Sequence, residues 1–271
     1  MSTKVKGNLM IIGGNEDKEN NCIILKKFIE LSNRGKVIIM TTATEKPEQV
    51  GKKYLDIFTR LGCESVEVLD IPDRVYANNH GNIEKLDKAA GIFFTGGDQL
   101  KITGTLGGTI VDRKLHELYE RGVVIAGTSA GASVMSSTMI VGGSNDETPR
   151  KDALNMAPGM ALIEEVVIDQ HFAQRGRIGR LLTVVAQNPH NLGIGIDEDT
   201  AIIINNSQCF RVIGSQTVTV VDGETISFTN VSETGERYPL GLADVKLHVL
   251  PPGLGFDLKT RRPILSNSVE E

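Results

Sequence analysis

The chain has 271 residues, and 29 Lys and Arg against 34 Asp and Glu give a net charge of −5. With 40% apolar and 23% charged residues, a chain of this length buries on the order of 75% of the surface its unfolded form exposes, which excludes disorder as the main state. The acidic balance leaves no footprint for nucleic acid, and no uncharged run approaches the ~20 residues that cross a bilayer. Three widely spaced cysteines, Cys22, Cys63 and Cys209, make neither a disulfide framework nor a zinc pattern. They point to a reducing compartment. The apolar stretch at 9–12 is too short for a secretory signal or a span, so a cytoplasmic protein is expected. No cysteine or histidine spacing offers a metal, so no cofactor is expected.

Apolar runs rich in Val and Ile predict strands at residues 8–12, 36–41, 65–71, 91–95, 123–126, 166–169 and 192–196. Most are apolar throughout, as in strands covered on both faces. Between them, residues 47–61 read as a helix that opens on Pro47 and stops at Gly62, with Val50, Tyr54, Leu55, Phe58 and Leu61 on one face. Residues 109–121 group Val111, Leu115, Leu118 and Tyr119 and stop at Gly122. This β–α rhythm implies a three-layer α/β/α sandwich around a mostly parallel sheet. Beyond about Thr200, short β runs at 202–204, 209–213 and 216–221, with turn signals at Gly214-Ser215 and Asp222-Gly223, predict an antiparallel β extension. No linker separates the two, so residues 1–271 read as a single catalytic domain, with an α/β core over 1–200 and a β-rich extension over 201–271. Residues 141–155, Gly-rich and then charged, read as a loop, and the polar residues 266–271 as a frayed tail.

The most informative stretch runs from a buried strand into Gly127-Thr128-Ser129-Ala130-Gly131, followed by a helical pattern. Gly127 and Gly131 flank Ser129 in the spacing of a nucleophile elbow, whose sharp turn exposes a serine hydroxyl at the strand's carboxyl end. The helix that follows would favour negative charge nearby. A serine of ordinary pKa needs a base. His116 lies on an amphipathic helix among charges, His248 shares a strand face with Lys246, and His80 and His190 sit in polar turns. His171 stands just past the strand at 166–169. If that strand runs parallel to the one before Ser129, both residues fall at the same sheet edge; a structural histidine is the alternative. Asp197, Glu198 and Asp199 all follow another strand and are candidates for the group that orients the imidazole; Glu198 is preferred, but the residues themselves do not separate the three. The order Ser, His, acid is not that of α/β-hydrolases. Gly96-Gly97 follows a further buried strand, which makes the N–H groups of Gly97 and Ala130 the candidate oxyanion hole. Arg175, Arg177 and Arg180, close behind His171 in an acidic chain, suggest a carboxylate-bearing substrate; solvated surface arginines are the alternative.

Together, GGNEDK (13–18), FTGGDQ (94–99), GTSAGA (127–132), DQHFAQRGRIGRL (169–181) and GIGIDEDTA (193–201) resemble the cyanophycinases, serine exopeptidases whose relatives include the aspartyl dipeptidases. The resemblance covers essentially the whole chain. It implies a flavodoxin-like or class I glutamine amidotransferase-like sandwich, with Ser129 as nucleophile, His171 as base and Glu198 as third member. It also implies the substrate, cyanophycin, an insoluble poly-aspartate bearing arginine on each β-carboxyl, which is cut to β-Asp-Arg dipeptides. Gln99, Asp169, Gln170, Arg175, Arg177 and Arg180 match the family's substrate-contacting positions, no metal is needed, and the family is typically a cytoplasmic homodimer. Two rivals remain at this stage: a dipeptidase for short aspartyl or isoaspartyl peptides with the same triad, and a non-catalytic binding module on a similar fold.

Overall fold

A computed structural model describes residues 7–143, 148–205 and 208–265. Its first half alternates strands β1 (Leu9–Ile12), β2 (Lys36–Met40), β3 (Ser65–Leu69), β4 (Gly91–Phe94) and β5 (Val124–Thr128) with helices α1 (Ile23–Leu31), α2 (Pro47–Arg60), α3 (Arg74–Ala77), α4 (His80–Asp87), α5 (Gln99–Leu106) and α6 (Ile110–Glu120). After the one-turn α7 (Ala130–Ser133) come β6 (Thr138–Gly143), β7 (Leu154–Pro158), β8 (Val166–Gln170), α8 (Ile178–Gln187) and β9 (Leu192–Ile196). The rest is β: β10 (Thr200–Ile204), β11 (Cys209–Gly214), β12 (Val218–Asp222), β13 (Phe228–Thr229), β14 (Leu242–Ala243), β15 (Lys246–Leu250), β16 (Gly255–Asp257) and β17 (Arg262–Ile264). The tail expected at 266–271 lies outside the described residues.

The main sheet has the order β17-β16-β11-β10-β1-β5-β4-β2-β3. Its β1, β5, β4, β2 and β3 run parallel, while β10, β11, β16 and β17 add antiparallel strands beyond β1. Because side chains alternate along a strand, each strand feeds two cores. Met10, Ile12, Val37, Ile39, Phe93, Val124 and Ala126 face one side, where α1 and α2 bring Leu25, Phe28, Tyr54 and Phe58. Leu9, Ile11, Ile38, Met40, Ile92, Phe94 and Ile125 face the other, with Ile102 and Leu106 of α5 and Val111, Leu115 and Leu118 of α6. Phe28, Tyr54, Phe58 and Phe93 pack with ring centroids 4.8–6.0 Å apart, and each fully buried Phe stabilises the fold by about 1.5–3 kcal/mol.

Strands β8 and β9 are parallel to each other but join a second sheet of order β15-β12-β9-β8 instead of extending the main one. Their inward Ile168, Ile194 and Ile196, with Val218 and Val220 of β12, belong to the same core as Leu9 and Ile11. On the outward face of β9, Gly193 and Gly195 leave room: a Cβ at Gly195 would lie 2.4 Å from the Phe172 ring. Phe172 docks there and fixes the chain just after β8. From β9 the chain turns through residues 197–199 into β10, which pairs with β1. This crossing joins the two sheets at the end of β1.

Three local expectations change. Leu247 and Val249 of β15 are exposed, while His248 is half-buried against Phe256; exposed Lys246 shares a face with His248 and the buried Leu250, so the charge at the strand's end does not mark that face as solvated. Residues 141–155 are not a plain loop: β6 and β7 pair as antiparallel strands around a 3₁₀ turn at Lys151–Ala153. Residues 144–147 of that stretch lie outside the described residues. The helix after Ser129 is four residues long, so little dipole is available from it.

Candidate active site

Strand β5 ends directly below Ser129, whose backbone sits at φ 56°, ψ −111°, a left-handed conformation costing a non-glycine residue about 1–3 kcal/mol. The flanking glycines are required by close approach. A Cβ at Gly127 would lie 2.2 Å from the Gly131 carbonyl oxygen, and one at Gly131 would lie 2.6 Å from that of Phe94. The Ser129 N–H donates to the Ile12 carbonyl of β1 at 3.1 Å, which holds the turn upright. The turn after β4 lies beside it, since a Cβ at Gly96 would be 3.8 Å from Ser129 Oγ. Among the described residues, the N–H groups of Gly97 and Ala130 have no hydrogen-bond acceptor.

His171 follows β8 at φ 48°, and its Nε2 lies 3.0 Å from Ser129 Oγ. Its Nδ1 lies 2.6 Å from Glu198 Oε1. The segment after β1 frames both. The His171 N–H donates to the Gly13 carbonyl at 2.7 Å and the Asp199 N–H to that of Gly14 at 2.9 Å. Gly14 has φ 102°, and a Cβ there would lie 2.4 Å from the His171 ring. Asn15 Nδ2 donates to Glu198 Oε2 at 2.9 Å, and Gln174 Oε1 accepts from the Glu198 N–H at 3.0 Å.

Burial lowers the His171 pKa below its ordinary value; Arg175 and Arg177 push the same way and the Glu198 hydrogen bond opposes them. Hydrogen bonds from Asn15 and then from His171 hold the Glu198 carboxyl below its usual range. Near neutral pH the pair is therefore an imidazole beside a carboxylate. With Glu198 accepting from Nδ1–H, the Nε2 lone pair is left to receive the serine proton.

The neighbouring carboxylates are occupied elsewhere. Asp197 accepts from the Ala173 N–H at 2.9 Å and from the Thr217 hydroxyl at 2.8 Å, joining the turn after β8 to the start of β12. Asp199 accepts from the Asp17 N–H at 2.8 Å and the Ser215 hydroxyl at 2.7 Å. Glu16 is buried beneath the elbow and accepts from Thr128 Oγ1 at 2.6 Å and the Tyr54 hydroxyl at 2.5 Å, with Lys18 Nζ 3.0 Å away.

The three arginines divide. Asp169, 2% exposed, lies 3.0 Å from Arg177 Nη1 and 3.0 Å from Arg180 Nε; the second contact is an ion pair without the angle of a hydrogen bond. Burial raises the Asp169 pKa, and Arg180 and Arg177 oppose it. Arg177 Nη1 also donates to the Gln170 carbonyl at 2.6 Å. Arg175, in contrast, is exposed and forms no ion pair among the described residues. Gln170 Oε1 is 3.5 Å from Ser129 Oγ, and Gln99 Nε2 donates to the Ile140 carbonyl of β6 at 2.9 Å. The remaining histidines stand apart: His116 and His190 face Asp112 at 3.8 Å and Glu165 at 3.2 Å, and His80 begins α4.

Sequence reasoning did not assign roles to Asn15, Glu16, Phe172 or Gln174. A paired glycine after a buried strand, in GGNEDK, is the one local signal that the chain passes close to something there.

The sequence profile of peptidase family S51 matches residues 9–212. A cyanophycinase of Geminocystis herdmanii (strain PCC 6308) is 38% identical over 97% of this chain and 98% of its own length. The cyanophycinase of Trichormus variabilis is 40% identical over 93% of this chain and 86% of its own. Among solved structures, a peptidase from an acI-B1 Actinobacterium superposes with a TM-score of 0.65 at 22% identity, covering 90% of this chain and 98% of that one. A putative peptidase E protein from Listeria monocytogenes EGD-e gives 0.54 at 22% identity, over 77% of this chain and 98% of that one. Both structures share the fold.

Proposed function

The chain belongs to peptidase family S51, and on that premise we propose that it is a cyanophycinase whose nucleophile, base and orienting acid are Ser129, His171 and Glu198. The observation that carries this reading is the continuous series from Ser129 Oγ through the His171 ring to Glu198, with separations of 3.0 and 2.6 Å. Ser129 Oγ attacks the scissile carbonyl carbon as its proton passes to His171 Nε2. The C–N bond then breaks, the departing amine takes that proton, and an acyl ester remains on Ser129. Water, deprotonated by the same nitrogen, attacks the ester and returns the serine. Charge on the tetrahedral oxygen is met by the free N–H groups of Gly97 and Ala130.

The six substrate positions take different parts. Exposed Arg175 receives a substrate carboxylate, and Gln99 and Gln170 offer amide groups to the arginine-bearing side chain. Asp169, Arg177 and Arg180, largely engaged with one another, shape the pocket through Gln170, whose carbonyl Arg177 holds. The reading extends to exopeptidase action releasing β-Asp-Arg, to a homodimer, and to a cytoplasmic setting; among the described residues no helix is long and apolar enough to cross a membrane.

The test is incubation of the protein and of Ser129→Ala with insoluble cyanophycin granules, followed by mass spectrometry of the supernatant. Soluble β-Asp-Arg from the unaltered protein alone is the expected result. Full activity in Ser129→Ala overturns the mechanism. No dipeptide from protein whose serine still reacts with a fluorophosphonate keeps the hydrolase and discards the polymer.

A further inference from the structure

We propose that Asn15 is a positioning residue for the reaction, its side-chain amide fixing the Glu198 carboxylate in the orientation that His171 needs; this rests on reading Ser129, His171 and Glu198 as the catalytic series. The two Glu198 oxygens have separate donors: Oε1 faces His171 Nδ1 at 2.6 Å and Oε2 accepts from Asn15 Nδ2 at 2.9 Å. The carboxylate therefore cannot rotate about its terminal bond without losing both. That restraint matters because the Glu198 side chain is 29% exposed, and an unrestrained Glu in contact with water samples many rotamers.

Asn15 is well placed to act as the restraint. Its own backbone is set by Gly13 and Gly14, whose carbonyls accept the N–H groups of His171 and Asp199. One short segment thus holds the base, the backbone beside the acid, and the acid's outer oxygen. The backbone of Asn15 is left-handed, at φ 46°, a conformation that Gly, Asn and Asp all adopt. If Asn15 served the turn alone, Gly would replace it without consequence.

The experiment follows from that distinction. The full chain carrying Asn15→Gly or Asn15→Asp is compared with the unaltered protein in melting temperature, in kcat and KM, and in the rate at which a fluorophosphonate labels Ser129. The expected result for Asn15→Gly is about tenfold slower labelling and a similar fall in kcat with KM little changed, the scale of losing one hydrogen bond to a charged group. Asn15→Asp, which sets a second carboxylate against Glu198, is slower still. Labelling at the unaltered rate by Asn15→Gly overturns the proposal. If that variant melts early, its labelling rate well below its melting temperature, where it is folded, decides: slow labelling there supports the role, and the unaltered rate overturns it. Ser129→Ala separates the two levels. Label that persists in it removes the catalytic series itself, whereas loss of label there with normal Asn15 variants removes only the positioning role.

Discussion

The hydroxyl of Ser129 lies 3.0 Å from Nε2 of His171, although the two residues follow strands of different sheets. Both have left-handed backbones, at φ 56° and 48°. Each strand therefore ends in a sharp turn that throws a side chain out of its sheet and toward the other. The contact depends on the end of β1 and the residue after it, where the Ile12 carbonyl accepts from the Ser129 N–H and the Gly13 carbonyl from the His171 N–H.

The strain at Ser129 is measurable. Ser129→Gly removes the left-handed penalty, and Ser129→Ala keeps it. The glycine variant is expected to be the more stable by about 1 kcal/mol, the strain relieved less the extra freedom of the unfolded chain, or roughly 2 °C in Tm. Both variants are expected to be inactive. Equal melting temperatures would show that the elbow stores no strain.

With His171 as the proposed base, the acid limb of the pH profile is expected to follow the titration of its ring. It acts as a base only when neutral, and burial with Arg175 and Arg177 holds its pKa below the ordinary value, so kcat/KM is retained until the pH falls below that value and is lost as the ring protonates. Glu198, also shifted downward, stays ionised through that range. Arg175→Ala removes a cation that disfavours the imidazolium and is expected to move the limb to higher pH, whatever it does to substrate affinity. A limb that stays in place would show that Arg175 does not act on the ring.

Gly14→Ala tests the packing behind the base. The new methyl would fall 2.4 Å from the imidazole at a backbone φ of 102°, so the ring must shift. A displacement near 1 Å costs about 100-fold in rate. The expected outcome is a loss of kcat on that scale with the far-ultraviolet circular dichroism of the unaltered protein. Near-normal turnover would show that the ring tolerates the move.

Glu16 is buried with three partners, Thr128, Tyr54 and Lys18, and has no contact with the reacting groups. Glu16→Ala strands two buried hydroxyls and is expected to cost about 3 kcal/mol in urea unfolding. Tyr54→Phe removes one donor and costs about 1 kcal/mol. Equal effects would show that the carboxylate is not the hub of this cluster.

Much of the fold was legible because its signals are local. Short runs rich in apolar residues, Val and Ile above all, marked every predicted strand to within two residues of its observed ends, and Pro47 and Gly62 bracketed α2. The Gly127–Gly131 spacing marked the elbow for a largely similar reason, since the collisions it avoids are of residue 127 with Gly131 and Met135, and of residue 131 with Phe94 of the adjacent β4. Edge strands were less legible. In β15 a charged and a half-buried residue share a face, and no apolar alternation fixes the phase.

By itself, then, the sequence determined the β–α order, the elbow at Ser129 and the strand-end placement of His171 and of three successive carboxylates. Only the tertiary structure decided the rest. It moved β8 and β9 into a second sheet, assigned Glu198 to His171 while Asp197 and Asp199 were taken by Thr217 and Ser215, and closed Arg177 and Arg180 onto Asp169. The physical reason is distance along the chain: a strand's periodicity is written in neighbouring residues, whereas which carboxylate meets an imidazole depends on partners 27 residues away, beyond α8 and β9, and on an asparagine 183 residues away.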